Sequence, residues 1–252
     1  MIRFILIMII VCGFLIFSIP ILIAEWIIGK FSPRFRDITS LRLVQYVFKL
    51  ILLITGCKIT VIGAEQVPRS EAVLYVGNHR SFFDILLTYP RCPGLTGYVA
   101  KSGLEKIPLL SLWMKRLHCL FLDREDIRAG LKTILTGIEQ IKQGISMCIF
   151  PEGGRNKDPH LSMLPFKEGS LKMAEKTGCA IIPMAITNSA AIFENQFPKI
   201  RPCHVILEYG APVYPKELSK EERKFLGAYT QNTIQKMLDG HKTLLDNKTS
   251  GA

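Results

Sequence analysis

The stretch Asn78-His79-Arg80-Ser81-Phe82-Phe83-Asp84 has the residue types and spacing best suited to chemistry in this chain. A carboxylate on one imidazole nitrogen fixes the tautomer and leaves the other nitrogen free as a general base. His79 and Asp84 are of the right types, and the local pattern can bring them together. The apolar run Ala72 to Val76 reads as a buried strand, Gly77 and Asn78 break it, and a helix is expected from Phe82. Ser81 stands at the expected N-cap, with Asp84 three residues on, the spacing of a capping box. His79 then lies in the turn before the helix, within reach of a carboxylate in the first helical turn. Inside one helix, five positions apart, the two would point about 140° away from each other. The alternative is that Asp84 is only a cap and His79 only a loop residue, so the pair needs company elsewhere in the chain.

A second group follows the run Ser146 to Phe150. Pro151-Glu152-Gly153-Gly154-Arg155 reads as a tight turn at a strand end that presents Glu152 and Arg155. Glycines let a backbone approach an anion, and a guanidinium fork matches phosphate oxygens. Loops at strand ends are where α/β sheets bind ligands. Lys101 ends another strand-like run, and Asp123-Arg124 ends a third. If these ends share one edge of a sheet, Lys101, Arg124 and Arg155 form a cationic pocket near His79. Taken singly, each also reads as a solvated surface charge.

The elements that must position these groups alternate in type after Cys57, the habit of an α/β domain. Expected strands are Ala72–Val76, Thr96–Ala100, Leu117–Leu122, Ser146–Phe150, Ala180–Ala185 and His204–Tyr209. Pro183 within the fifth indicates a bulge or an edge strand. Helices are expected over 126–143, with Ile127, Leu131, Ile134, Ile138 and Ile141 as a core-facing stripe and Gly144 after it. Others are expected over 167–177, and from Ser219, capped by Glu222, towards Leu238; the tail after Asp246 has no pattern. Before the domain, Phe4 to Ala24 is almost wholly apolar, about the 20 residues that span a bilayer core. Pro20 and Glu25 interrupt it, and Leu41 to Ile54 carries Arg42, Gln45 and Lys49 at helical spacing, suited to a membrane interface. Either one spanning helix precedes an interfacial one, or a hairpin dips into one leaflet. Lys30, Arg34, Arg36 and Arg42 outnumber Arg3, so the downstream side is expected to be cytoplasmic. The expected organisation is a membrane-anchoring helical segment over 1–56 and an α/β domain over 57–252, with a mixed, largely parallel sheet flanked by helices.

Composition agrees with a membrane surface. The 252 residues carry a formal net charge of +11, yet mean hydropathy is +0.25. Basic and apolar together favour anionic lipid over nucleic acid, and no zinc-finger spacing or RNA-binding aromatic motif is present. The seven cysteines include no C-x-x-C pair. They suit neither a disulfide framework nor a zinc cluster, and fit a reducing cytoplasm.

The ordered set NHRSFFD, FLDR, FPEGGR and IIPMAI resembles the four motifs of the glycerolipid acyltransferases, specifically the bacterial 1-acylglycerol-3-phosphate (lysophosphatidic acid) acyltransferases. The resemblance covers about residues 60 to 215, and the apolar N-terminal pair separately resembles the membrane-binding helices of bacterial members. It implies an α/β enzyme of phospholipid biosynthesis at the cytoplasmic face of the inner membrane. Such an enzyme moves a fatty acyl group from acyl-CoA or acyl carrier protein to a lysophospholipid hydroxyl. Through it, His79 matches the general base and Asp84 its orienting carboxylate. Arg124, Arg155, Glu152, Gly153 and Lys101 match positions associated with the acceptor's glycerol phosphate. The family's E-G-T-R has Gly154 for its threonine here, and its A-K-x-E-L reads Ala100-Lys101-Ser102-Gly103-Leu104, without the carboxylate. No metal or bound cofactor is needed for this chemistry, and backbone N–H groups at the helix start after Ser81 are the expected oxyanion donors. Other lysolipids, such as an ornithine-type lysolipid, are alternative acceptors. From other classes come a metal-dependent phosphoesterase using His79, Asp84, Asp123 and Glu152, and a non-catalytic lipid-binding protein.

Overall fold

A computed structural model describes residues 1–158 and 160–249, with the backbone alone for 243–249. Helices α1 (Ile2–Phe17), α2 (Ile19–Phe31) and α3 (Pro33–Thr55) come first, and β1 (Lys58–Ile62) opens the α/β part. Then follow β2 (Leu74–Gly77), α4 (Phe83–Thr88), β3 (Thr96–Lys101), α5 (Pro108–Arg116), β4 (Leu120–Leu122), α6 (Ile127–Lys142) and β5 (Ser146–Ile149). The chain closes with α7 (Lys172–Thr177), β6 (Ile181–Thr187), β7 (His204–Tyr209), α8 (Lys220–Lys224) and α9 (Leu226–Thr249).

Among the described residues the strands form one seven-stranded sheet, ordered β1-β7-β6-β2-β5-β3-β4. Strands β2 to β6 run parallel, while β7 runs antiparallel to β6 with β1 beside it. The mixed, largely parallel sheet is therefore as expected. Residues alternate across it. Tyr75, Cys148, Ile182 and Leu207 pack with α1, α3, α4 and α5 on one face. Leu74, Met147, Ile181 and Ala185 pack with α6, α7 and α9 on the other. Strands covered on both faces read as continuous apolar runs, which is why they were visible in the sequence. Because β2 to β6 are parallel, the loops carrying His79, Lys101, Arg124, Arg155 and the segment after Thr187 all leave one edge.

The differences have local causes. β1 is not among the expected strands; it follows α3 closely, with only Gly56, in the left-handed conformation at φ 67°, and Cys57 between the two patterns. β4 is shorter than expected because α5 and its cap take Leu117, and His118 turns the chain at φ 58°. Pro183 is neither at an edge nor itself bulged: it sits in an interior strand in register with Val76, and the irregularity lies opposite it. Met184 faces Tyr209 and Ile181 faces Val213, so residues 210–212 stand opposite 182–183. The α6 stripe is core-facing only in its second half: Ile138 and Ile141 are buried, while Ile127 is 87% exposed. Ser219 and Glu222 form their capping box. The helix behind them runs to Thr249, past the patternless tail expected from 247; the last three residues lie outside the described ones.

The apolar N-terminal run is broken at Ser18, where α1 and α2 meet at 46°. Trp113 donates its indole N–H to the Ser18 hydroxyl at 2.8 Å. Glu25 is buried and accepts the Ser40 hydroxyl. α3 is long and apolar enough to cross a membrane, but Leu41, Val44, Ile51 and Leu52 sink into the core. Gln45, expected on a polar interfacial face, is buried and donates to the carbonyls of Tyr89 and Cys92. On α1, Phe4 stacks on Phe193 and Phe14 packs on Trp113. What stays uncovered is an outer face including Ile5, Ile9, Phe17, Ile23, Trp26 and Ile27.

Deleting residues 1–56 therefore removes core as well as anchor, since each lost Leu or Ile contact costs about 2–5 kcal/mol. The remaining chain is expected to aggregate or lose its thermal transition, measured by size-exclusion chromatography and melting in detergent. A monodisperse, cooperatively melting 57–252 fragment would contradict this packing.

Candidate active site

His79 follows β2 in the turn ahead of α4, and its Nδ1 lies 2.8 Å from Asp84 Oδ2. Asp84 is fully buried. The same Oδ2 accepts the backbone N–H groups of Arg80 and Ser81, each at 2.8 Å. An ionised carboxylate accepts only, so Nδ1 carries the shared proton and Nε2 is the bare nitrogen. Phe150 stacks on the imidazole, 4.4 Å between centroids and 17° from parallel, which fixes the ring plane. The cap differs from expectation by one residue. Phe82 is the N-cap of α4, and the Ser81 hydroxyl accepts from Phe83 N–H and donates to Glu194.

Glu152 braces this turn from β5. It is buried, and its two oxygens accept His79 N–H at 2.6 Å and Leu164 N–H at 2.7 Å. Burial raises its carboxyl above the ordinary range, opposed by those amides and by His79. The carboxylate thus faces inward, and the open part of the turn is Gly153-Gly154-Arg155. On the other side Asn78 exchanges two hydrogen bonds with the Ile186 backbone, tying the end of β2 to β6.

The cations divide into two groups. Arg155 donates to Glu194 at 3.1 Å, and its guanidinium lies 3.6 Å above the Phe82 ring. Lys101, Arg124 and Lys167 pair with no carboxylate among the described residues. Arg124 and Lys167 line a cavity of about 30 Å³ with Phe150 and Gly153. Gly153 holds φ +75°, and a Cβ there would press on Lys167 at 3.1 Å. At Gly154 a Cβ would meet only Arg124, at 3.7 Å, so the missing threonine leaves open space beside that guanidinium. Lys101 ends β3 opposite Leu122. It adds to the amides of Glu125 and Asp126 in holding Asp123 below its usual carboxyl range.

Two sequence expectations change. The N–H groups of Arg80 and Ser81 are on Asp84, Phe82 N–H is on Glu194, Phe83 N–H is on Ser81 Oγ, and Asp84 N–H is on Ser81 O. The start of α4 therefore has no N–H to spare for an oxyanion. Among the described residues no three His, Cys, Asp or Glu side chains converge as metal ligands would, which removes the geometry the phosphoesterase reading needed. Sequence reasoning missed Phe150 as the ring under His79, although it opens the FPEGGR stretch. It also missed Lys167 and Glu194, which stand in no motif.

An acyltransferase family model matches residues 58–187, from β1 to the end of β6. The chain is 31% identical over 211 residues to the 1-acyl-sn-glycerol-3-phosphate acyltransferase of Borreliella burgdorferi, with 79% of each chain covered. It is 27% identical over 237 residues to the protein of the same name from Saccharomyces cerevisiae, across 92% of this chain and 74% of that one. In fold it is similar to the crystal structure of the 1-acyl-sn-glycerophosphate acyltransferase PlsC from Thermotoga maritima. That match has a TM-score of 0.80 at 24% identity and covers 96% of this chain and 95% of the other. With His79, Asp84 and the Glu152–Arg155 turn all inside the matched span, the chain belongs to the acyltransferase family and is an enzyme of that class.

Proposed function

We propose that the enzyme transfers a fatty acyl group from a thioester of coenzyme A or acyl carrier protein to the sn-2 hydroxyl of 1-acylglycerol-3-phosphate, giving phosphatidic acid. The observation that carries the mechanism is the 2.8 Å pairing of His79 Nδ1 with a fully buried Asp84. It aims a bare Nε2 outward as general base, and such bases contribute about 10²–10⁴-fold. As the acceptor hydroxyl attacks the thioester carbonyl, Nε2 takes its proton and a C–O bond forms. The tetrahedral oxyanion collapses, the C–S bond breaks, and the imidazolium returns the proton to the leaving thiolate. Direct transfer suits the site, since no serine or cysteine lies against His79 as a nucleophile among the described residues.

The acceptor phosphate is assigned to the cationic edge: Lys101, Arg124, Arg155 and the Gly153 turn, with Lys167 added by its place beside Gly153. Arg124 and Lys167 lack carboxylate partners, so an incoming phosphate meets charge that is not already neutralised. The relatives' names support this acceptor over an ornithine-type lysolipid. Residues 1–56 serve as the anchor and 57–252 as the catalytic domain, on the cytoplasmic face of the inner membrane. The uncovered apolar face of α1 and α2 supports this: with their other faces packed on the domain, the pair suits immersion in one leaflet better than a free span.

His79→Ala is expected to lower kcat by at least about 100-fold in a purified assay while vesicle binding persists; near-normal turnover would remove the mechanism. Arg155→Ala should raise the acceptor KM about 10- to 150-fold, the equivalent of about 1.5–3 kcal/mol for a charge-assisted contact. The donor KM should stay within twofold, and Arg155→Lys should restore the acceptor constant only in part. Equal damage to both constants would count against the assignment. Ile9→Asn combined with Ile23→Asn should keep the melting temperature and weaken pelleting with anionic vesicles even in high salt, since the lost contact is apolar.

A further inference from the structure

Glu194 belongs to no motif, yet both of its oxygens are committed to the catalytic turn. Oε2 accepts the Ser81 hydroxyl at 2.7 Å, and Oε1 accepts Phe82 N–H at 2.8 Å and Arg155 Nη1 at 3.1 Å. Ser81 is thereby gripped twice, by Asp84 at its N–H and by Glu194 at its hydroxyl. Phe193, the residue before the clasp, fixes its backbone: the ring stacks on Phe4 of α1 at 5.6 Å and meets Phe83 of α4 edge-on. The carboxylate is thus delivered from the segment after β6 to the turn after β2 by an aromatic wedge.

We propose that Glu194 is a positioning residue for acyl transfer, setting the Arg155 guanidinium for the acceptor phosphate while it holds the turn that carries His79. This rests on the assignment of that phosphate to Arg155. A guanidinium has five N–H donors, and Glu194 takes one nitrogen, Nη1, leaving others for a phosphate. Phe82 fixes the plane from below, so the ion pair and the ring together leave the guanidinium one orientation. Arg155 keeps about a quarter of its side chain, 27%, exposed, so its outer edge is open to a ligand. A carboxylate that merely competed with the phosphate would have no cause to hold Ser81 and Phe82 as well.

The test uses the full-length enzyme in mixed micelles, with acceptor and donor constants measured for Glu194→Gln, Arg155→Ala and the double variant. Glutamine keeps an oxygen for the turn and loses the charge on Arg155. Glu194→Gln is expected to raise the acceptor KM roughly tenfold with the donor KM and melting temperature unchanged. In the Arg155→Ala background it should add nothing further. Glu194→Asp should recover part of the loss, and Glu194→Ala, which also frees Ser81 and Phe82, should lower kcat as well. A lower acceptor KM in Glu194→Gln would show competition and overturn the proposal, as would equal changes in both constants or independent effects in the double variant. If Arg155→Ala itself leaves the acceptor KM unmoved, the phosphate assignment fails and this inference with it. A raised KM in Arg155→Ala with none in Glu194→Gln sinks only the role of Glu194.

Discussion

A carboxylate with no access to water dictates the shape of this site. Placing an ion the size of Asp84 in the interior costs several kcal/mol unless strong donors replace its lost water. Oδ2 gathers three of them, His79 Nδ1 and the N–H groups of Arg80 and Ser81. Those two N–H groups can converge on one oxygen only if the chain between His79 and Asp84 is a tight turn running into a helix. The turn in turn sets the imidazole beside the carboxylate and not across a helix from it. One electrostatic requirement therefore fixes the backbone, the tautomer and the direction of the free nitrogen.

The surrounding loops are held by the same device. Glu152 ties the His79 amide to that of Leu164, and Glu194 ties the start of α4 to Arg155. Three carboxylates thus brace the edge of the sheet from inside, while Arg124 and Lys167 pair with no carboxylate among the described residues and line the small cavity beside Gly153. Parallel strands make this possible, because β2, β3, β4, β5 and β6 deliver their following loops to one edge. The N-terminal helices are part of the arrangement: Phe4 reaches Phe193 beside Glu194, so the apolar segment and the His79 turn share one packed layer.

Much of this was legible in the sequence where one local pattern decides the outcome. Fully buried parallel strands announce themselves as apolar runs, and a strand-to-helix turn between His79 and Asp84 made their pairing possible, though H-x4-D alone also read as a mere cap. Pro183 marked an irregular ladder, but the strand carrying it is interior and the extra residue lies in the neighbouring segment 210–212. Legibility failed where a partner distant in sequence decides. Gln45 looked like an interfacial polar residue until the carbonyls of Tyr89 and Cys92 claimed it. Ile127 fits a helical stripe, but only the second half of α6 lies over the sheet. The N–H groups at the start of α4 suited an oxyanion until Glu194, more than a hundred residues on, occupied one of them.

The most direct measurement of the central claim is the ¹⁵N spectrum of the His79 imidazole in detergent-solubilised enzyme at pH 8, assigned by comparison with His79→Gln. The account predicts a protonated Nδ1 and a bare Nε2, with that preference lost in Asp84→Ala. A bare Nδ1 with the proton on Nε2 would mean that Asp84 does not orient the imidazole, and that the nitrogen facing the acceptor is no base.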